Sequence, residues 1–126
     1  FDDAIYAALR LLRILACSGQ NLDDIRDSLP TKFNTPEIRI DCADDQKFVV
    51  MDKVVDRLRV DGTFNVCDID GVRVETKEGW WLLRASNTQP VLVARCESST
   101  KKGLSGLKNV IREQLRLSGI KSPDLG

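Results

Sequence analysis

Apolar side chains occupy most of a helical wheel drawn over residues 3 to 17. Ile5, Leu9, Leu11, Leu12, Ile14 and Leu15 leave only a narrow polar stripe of Asp3, Tyr6, Arg10 and Arg13. Asp2 or Asp3 can cap such a helix and favour its positive end, and Gly19 stops it. A helix that is apolar on most sides is usually buried on several of them. The rest of this short chain has a second domain's worth of structure to build and is not expected to cover it. Residues 1–32 are therefore expected to be the end of a preceding domain. Within them, Asn21 caps a short helix from Leu22 to Ser28 that Pro30 ends, and the turn formers from Thr31 to Pro36 read as a linker.

The period then changes. Glu37-Ile38-Arg39-Ile40-Asp41 alternates polar and apolar, the pattern of a half-buried strand. Asp44 or Asp45 opens a helix to about Val60, with Phe48, Met51, Val54, Val55 and Leu58 on one face. A strand over Phe64–Ile69 joins a strand over Val72–Thr76 through Asp70-Gly71, a pair suited to a type I′ turn with positive φ at both central residues. Lys77-Glu78-Gly79 turns the chain into a strand at Trp80–Leu83, and a further strand runs from Val91 to about Glu97. The closing helix, about Lys101 to Leu117, aligns Leu104, Leu107, Ile111 and Leu115, and Gly119 follows as its stop. Residues 33–126 thus predict an α+β domain, with a mostly antiparallel sheet of four to five strands flanked by two helices.

Composition narrows the function classes. The 126 residues carry 19 basic and 19 acidic side chains, so no global field draws in nucleic acid or an anionic membrane. Any anion site must be local. No apolar run approaches the roughly 20 residues of a membrane span, and the start of the chain lacks the pattern of a secretion signal. There is no histidine, which excludes Ser-His and Cys-His nucleophilic catalysis within this chain. The four cysteines, Cys17, Cys42, Cys67 and Cys96, form no CxxC pair. They are expected to be reduced and structural in a cytoplasmic protein, the last three in half-buried strand contexts. Asp68 with Asp70, and Asp44 with Asp45, read as turn and cap residues rather than metal ligands, because neither pair has the further oxygens a hard cation needs.

The densest chemistry lies in Arg84-Ala85-Ser86-Asn87-Thr88-Gln89-Pro90, on a connection between strands. Arg84 offers a forked, permanent cation suited to phosphate oxygens. Ser86 and Thr88 offer hydroxyls and Asn87 an amide donor. Successive backbone N–H groups in such a turn can converge on an anion. A phosphate monoester presents more oxygens than one arginine can satisfy, which is why the mixture suits it. These residue types also build ordinary solvated turns, so by themselves they leave both readings open. Neither GxxxxGK[ST] nor GxGxxG is present.

The run DGVRVETKEGWWLLRASNTQPVLVARCES, residues 70–98, resembles the last domain of the phosphomannomutase/phosphoglucomutase family, the α-D-phosphohexomutases. TPEIRI at 35–40 is similar to the entry into that domain, and DDAIYAALRLL at 2–12 to the final helix of the α/β domain before it. The resemblance implies that Arg84, Ser86, Asn87 and Thr88 hold the substrate phosphate that is not being transferred. Gln89 stands at a variable position and receives no role. Arg95 matches an arginine common in the next strand and would either support the site or be a solvated strand-face residue. Asn87 resembles the mannose/glucose branch, since the phosphoglucosamine branch usually has glycine there. The basic Ser99-Thr100-Lys101-Lys102 departs from the family's usual acidic helix start.

The family's active enzymes also need a phosphorylated serine in a TASHNP-like loop, a magnesium-binding DGDxDR loop and a GEMSGH-like sugar loop. None of these occurs in the sequence. The resemblance therefore implies a C-terminal fragment of a phosphohexomutase, with no catalytic residue and no cofactor of its own. The implied Mg2+ would be bound by an absent domain. Its implied partners are mannose or glucose 1- or 6-phosphate and the remaining domains of the enzyme, with neither nucleic acid nor membrane. The alternatives are a stand-alone phospholigand-binding module and a protein-interaction module using the apolar face of residues 4–15.

Overall fold

The computed structural model of the chain describes residues 2–62, 64–121 and 125. They fall into two units, residues 1–31 and 32–126. The first holds α1 (Ala4–Ser18) and α2 (Leu22–Ser28). Asp3 caps α1 by accepting a hydrogen bond from the Tyr6 N–H at 2.8 Å, and Gly19 ends it in the left-handed region at φ 66°. Asn21 and Asp24 cap α2 reciprocally, each side chain accepting from the other's backbone N–H. No residue of α1 is buried, and Ile5 is 77% exposed.

The second unit begins where a linker is expected. Phe33–Asn34 instead forms a short strand, β1, followed by β2 (Ile38–Asp41), α3 (Asp44–Asp61), β3 (Asn65–Cys67), β4 (Val72–Thr76), β5 (Gly79–Ala85), β6 (Val91–Ser98) and α4 (Lys101–Leu117). The sheet is antiparallel in every pairing, in the order β1-β6-β5-β4-β3, and β2 also pairs with β6. The α+β architecture matches the sequence reading, with β1 as a sixth strand. The linker reading fails because Thr35 ties this stretch down. It is buried, its N–H donates to the Cys96 carbonyl at 3.0 Å, and its Oγ1 accepts from the Cys96 N–H at 3.1 Å.

Alternation along the strands sorts the sheet into two faces. Val72, Val74, Trp81, Leu83, Ala85, Leu92, Ala94 and Cys96 point inward and pack with Val50, Met51, Val54 and Leu58 of α3 and Leu107, Ile111 and Leu115 of α4. Arg57 locks the two helices together by donating to the Gln114 side chain and carbonyl and to the Ser118 hydroxyl. Thr100 caps α4 by accepting from the Gly103 N–H at 2.9 Å, which offsets the unfavourable lysines of the first turn.

Several expectations are corrected here. Phe48 is 54% exposed and Lys47 takes the buried position beside it, because the inward stripe of α3 is set by Val50, Met51, Val54 and Leu58. The strand expected over Phe64–Ile69 shrinks to Asn65–Cys67, and Ile69 is 91% exposed. An edge strand is paired on one side only, and here the chain leaves β4 early. Asp70-Gly71 is not a type I′ turn: Gly71 has φ 77°, but no described non-glycine residue has positive φ. The longer connection from Asp68 to Gly71 makes the reversal instead. Cys67 is exposed rather than half-buried, as is Cys17, whereas Cys42 and Cys96 are buried; all four are free thiols. Burial pushes the Cys42 and Cys96 thiols above their ordinary range.

Candidate functional site

The sheet face away from the helices carries the arginines. Strand β5 runs on to Ala85, so Arg84 is a strand residue at the mouth of the loop and not part of the loop itself. It pairs with Val93, which places Arg95, two residues further along β6, as its diagonal neighbour at roughly 7–8 Å between backbones. Arg73 and Arg95 flank Leu82 on either side. Together these side chains border an open groove of about 430 Å³.

The position of Arg84 has a backbone cause. A Cβ added to Gly71 would collide with the Leu83 carbonyl and the Arg84 main chain, so only glycine lets the β3–β4 connection lie against β5. That approach brings in Asp70, whose Oδ2 accepts from Arg84 Nη1 at 3.0 Å. Arg95 is exposed; its backbone pairs with Leu82 in the sheet, and its side chain makes no hydrogen bond to a described residue.

The loop from Ser86 to Pro90 is a tight reversal. The Ser86 N–H donates to the Val91 carbonyl at 3.0 Å, the Val91 N–H to the Gln89 carbonyl at 2.8 Å, and the Thr88 N–H to Ser86 Oγ at 3.4 Å. The expected convergence of successive backbone donors is therefore only partial, because the Ser86 and Thr88 N–H groups are already engaged. Asn87 and Thr88 are exposed residues, and the Asn87 main-chain and side-chain amides and the Thr88 hydroxyl bond to no described residue. Ser86 is half-buried at the base. The structure thus brings Arg84, Ser86, Asn87 and Thr88 to one end of the sheet, while Arg95 neighbours Arg84 alone, four residues along β6 from Val91, where the loop has ended.

Sequence reasoning missed the scaffold of this site. Gln89, given no role, accepts from Arg39 Nη1 through its side chain at 2.8 Å and from Lys47 Nζ through its carbonyl at 3.1 Å. The Cys42 N–H donates to the Pro90 carbonyl at 3.0 Å. Asp70, read as a turn residue, is the Arg84 counter-ion. Lys47 had a legible signal: it falls on the same helical stripe as Met51, Val54 and Leu58. Among the described residues no group of three or more Cys, Asp or Glu side chains could hold a metal, and no helix is long and apolar enough to cross a membrane.

Residues 37–114 match the family model for the phosphoglucomutase/phosphomannomutase C-terminal domain. The phosphomannomutase/phosphoglucomutase of Pseudomonas putida is 45% identical over 118 residues, covering 91% of this chain and 25% of that protein. The phosphoglucomutase of Neisseria gonorrhoeae is 37% identical over 110 residues, covering 86% of this chain and 24% of that protein. A crystal structure of a phosphoglucomutase/phosphomannomutase family protein from Burkholderia thailandensis is similar over 100% of this chain and 25% of that one, with TM-score 0.79 and 32% identity. The chain thus spans about a quarter of the length of the relatives it matches.

Proposed function

The chain belongs to the phosphoglucomutase/phosphomannomutase family, and we propose that its second unit grips the non-transferring phosphate of a hexose phosphate. The observation that carries this reading is the pair of guanidinium groups, Arg84 and Arg95, bordering one groove, with Arg84 at the mouth of a loop whose Asn87 and Thr88 are exposed and whose Asn87 amides and Thr88 hydroxyl are unengaged among the described residues. Two permanent cations and several neutral donors match a dianion with three oxygens.

In the whole enzyme, a cytoplasmic isomerase, phosphoryl transfer would interconvert glucose or mannose 1-phosphate and 6-phosphate. The bisphosphate intermediate would turn around between the two transfers. Arg84, Ser86, Asn87 and Thr88 would hold the distal phosphate in both orientations as this unit closes over the sugar. Arg95 would add charge from β6. Such a grip supplies positioning and electrostatic stabilisation, the main protein contributions to phosphoryl transfer. The described residues do not fit a magnesium site. The ion and the reacting serine would belong to other parts of the enzyme, and this chain alone would not turn over substrate. Residues 1–32 would be the tail of the preceding domain. A free-standing binding module is not favoured, because the relatives are enzymes in which the matched segment is only a part.

Titration of the isotope-labelled chain with glucose 1-phosphate and mannose 1-phosphate tests the reading. Amide shifts at Ser86, Asn87 and Thr88, saturating on the order of millimolar ligand, are expected because loop ordering and lost ligand freedom offset much of the contact energy. Absence of shifts at these residues at high ligand would rule out a preformed phosphate loop.

A further inference from the structure

Lys47 is a charged side chain inside the fold, with 4% of its surface exposed. A lysine is almost never fully buried without partners, because stripping water from its ammonium is costly. Its Nζ donates to Asp44 Oδ1 at 2.6 Å and to the Gln89 carbonyl at 3.1 Å. The first partner lies one turn back on α3 and is itself 70% exposed. The second lies 42 residues on in sequence, on the far shoulder of the loop.

That shoulder needs a fastening. The Gln89 carbonyl also accepts the Val91 N–H across only two residues, and Pro90 contributes no N–H of its own. Cys42 holds Pro90, and Arg39 holds the Gln89 side chain from the exposed side. Lys47 holds the main chain from inside, the one charge-assisted bond to the loop's backbone among these ties, where that of Arg39 reaches only a side chain.

We propose that Lys47 is a positioning residue for the phosphate loop. By pinning the Gln89 carbonyl it sets where Ser86, Asn87 and Thr88 stand relative to Arg84 and Arg95. The ligand side of this inference rests on the phosphate reading of the loop; the pinning itself does not.

Lys47→Met keeps the apolar stem and removes the donor, and Lys47→Arg restores a donor. In Lys47→Met, amide hydrogen exchange at Ser86 and Val91 without ligand is expected to speed up about fivefold or more, while Trp81 and Ala94 stay within about twofold. The dissociation constant for glucose 1-phosphate should rise about five- to tenfold, and Lys47→Arg should bring both readouts back to within about twofold. Unchanged exchange at Ser86 and Val91, or equal acceleration throughout the sheet, overturns the proposal. If the native chain binds no glucose 1-phosphate, the phosphate reading falls, and the exchange data still decide whether Lys47 holds the loop. If Lys47→Met does not fold, the native chain carries the test. A protected Lys47 ammonium should give its own resolved proton–nitrogen signal, and its absence among slowly exchanging lysine signals overturns the proposal.

Discussion

The two faces of one sheet divide the labour of this unit. On the helix-covered face, Trp81, Leu83, Val74 and Leu92 are completely buried, and each contributes through area removed from water. On the other face the same strands present Arg73, Arg84 and Arg95, with Leu82 between them in an open groove. Since strand side chains alternate, every inward anchor on β5 has an outward neighbour one residue away. The rigid side therefore positions the chemical side without sharing residues with it.

The largest effect is expected where that division is attacked from within. Trp81→Ala should cost about 3–5 kcal/mol in urea unfolding, as for other large buried aromatics. The loss should fall near the low end, because the buried Trp81 Nε1 has no hydrogen-bond partner among the described residues. Gly71→Ala tests the seam between the faces. A positive φ and a collision with the Leu83 and Arg84 backbone should cost about 1–3 kcal/mol and also weaken glucose 1-phosphate binding as Arg84 shifts. Arg84→Ala separates the two roles most cleanly. It should weaken glucose 1-phosphate binding about tenfold or more in the titration, while the unfolding free energy from urea stays within about 0.5 kcal/mol. A large loss of stability in Arg84→Ala would break the comparison.

The smallest effect is kinetic. Cys17 and Cys67 should react promptly with a thiol reagent at neutral pH, whereas buried Cys42 and Cys96 should lag far behind. Both buried thiols hold their protons more tightly in the folded than in the unfolded chain. As pH rises through the ordinary thiol range, the unfolded state loses protons first, so stability should fall on the alkaline side. Unfolding monitored from neutral to alkaline pH checks the sign.

The elements with a strong period were legible in the residues. The α4 stripe and the alternation in β4 and β6 state their burial directly, and Asn21 announced its cap. Shorter elements were not legible. A two-residue strand such as Phe33–Asn34 has no period, and only its partner on β6 and the buried Thr35 create it. The loop's donors could be named from RASNTQP, but its supports could not. Asp70, Arg39 and Lys47 reach it from 14 to 50 residues away, through contacts that only the register of the sheet and the packing of α3 bring about, and the helical stripe tells that Lys47 faces inward but not what it meets.

Asp70 gives the site one more property. In the free chain the Asp70 carboxylate already accepts from Arg84 Nη1, so under the proposed function an arriving phosphate would compete with a resident for that nitrogen. Binding as proposed would then include an exchange of counter-ions, and the gain at that nitrogen would be the difference between two attractions. A singly charged anion would gain little from that exchange. A doubly charged one that also engaged Arg95 and the loop hydroxyls would gain more, so discrimination would come from what the residents already satisfy.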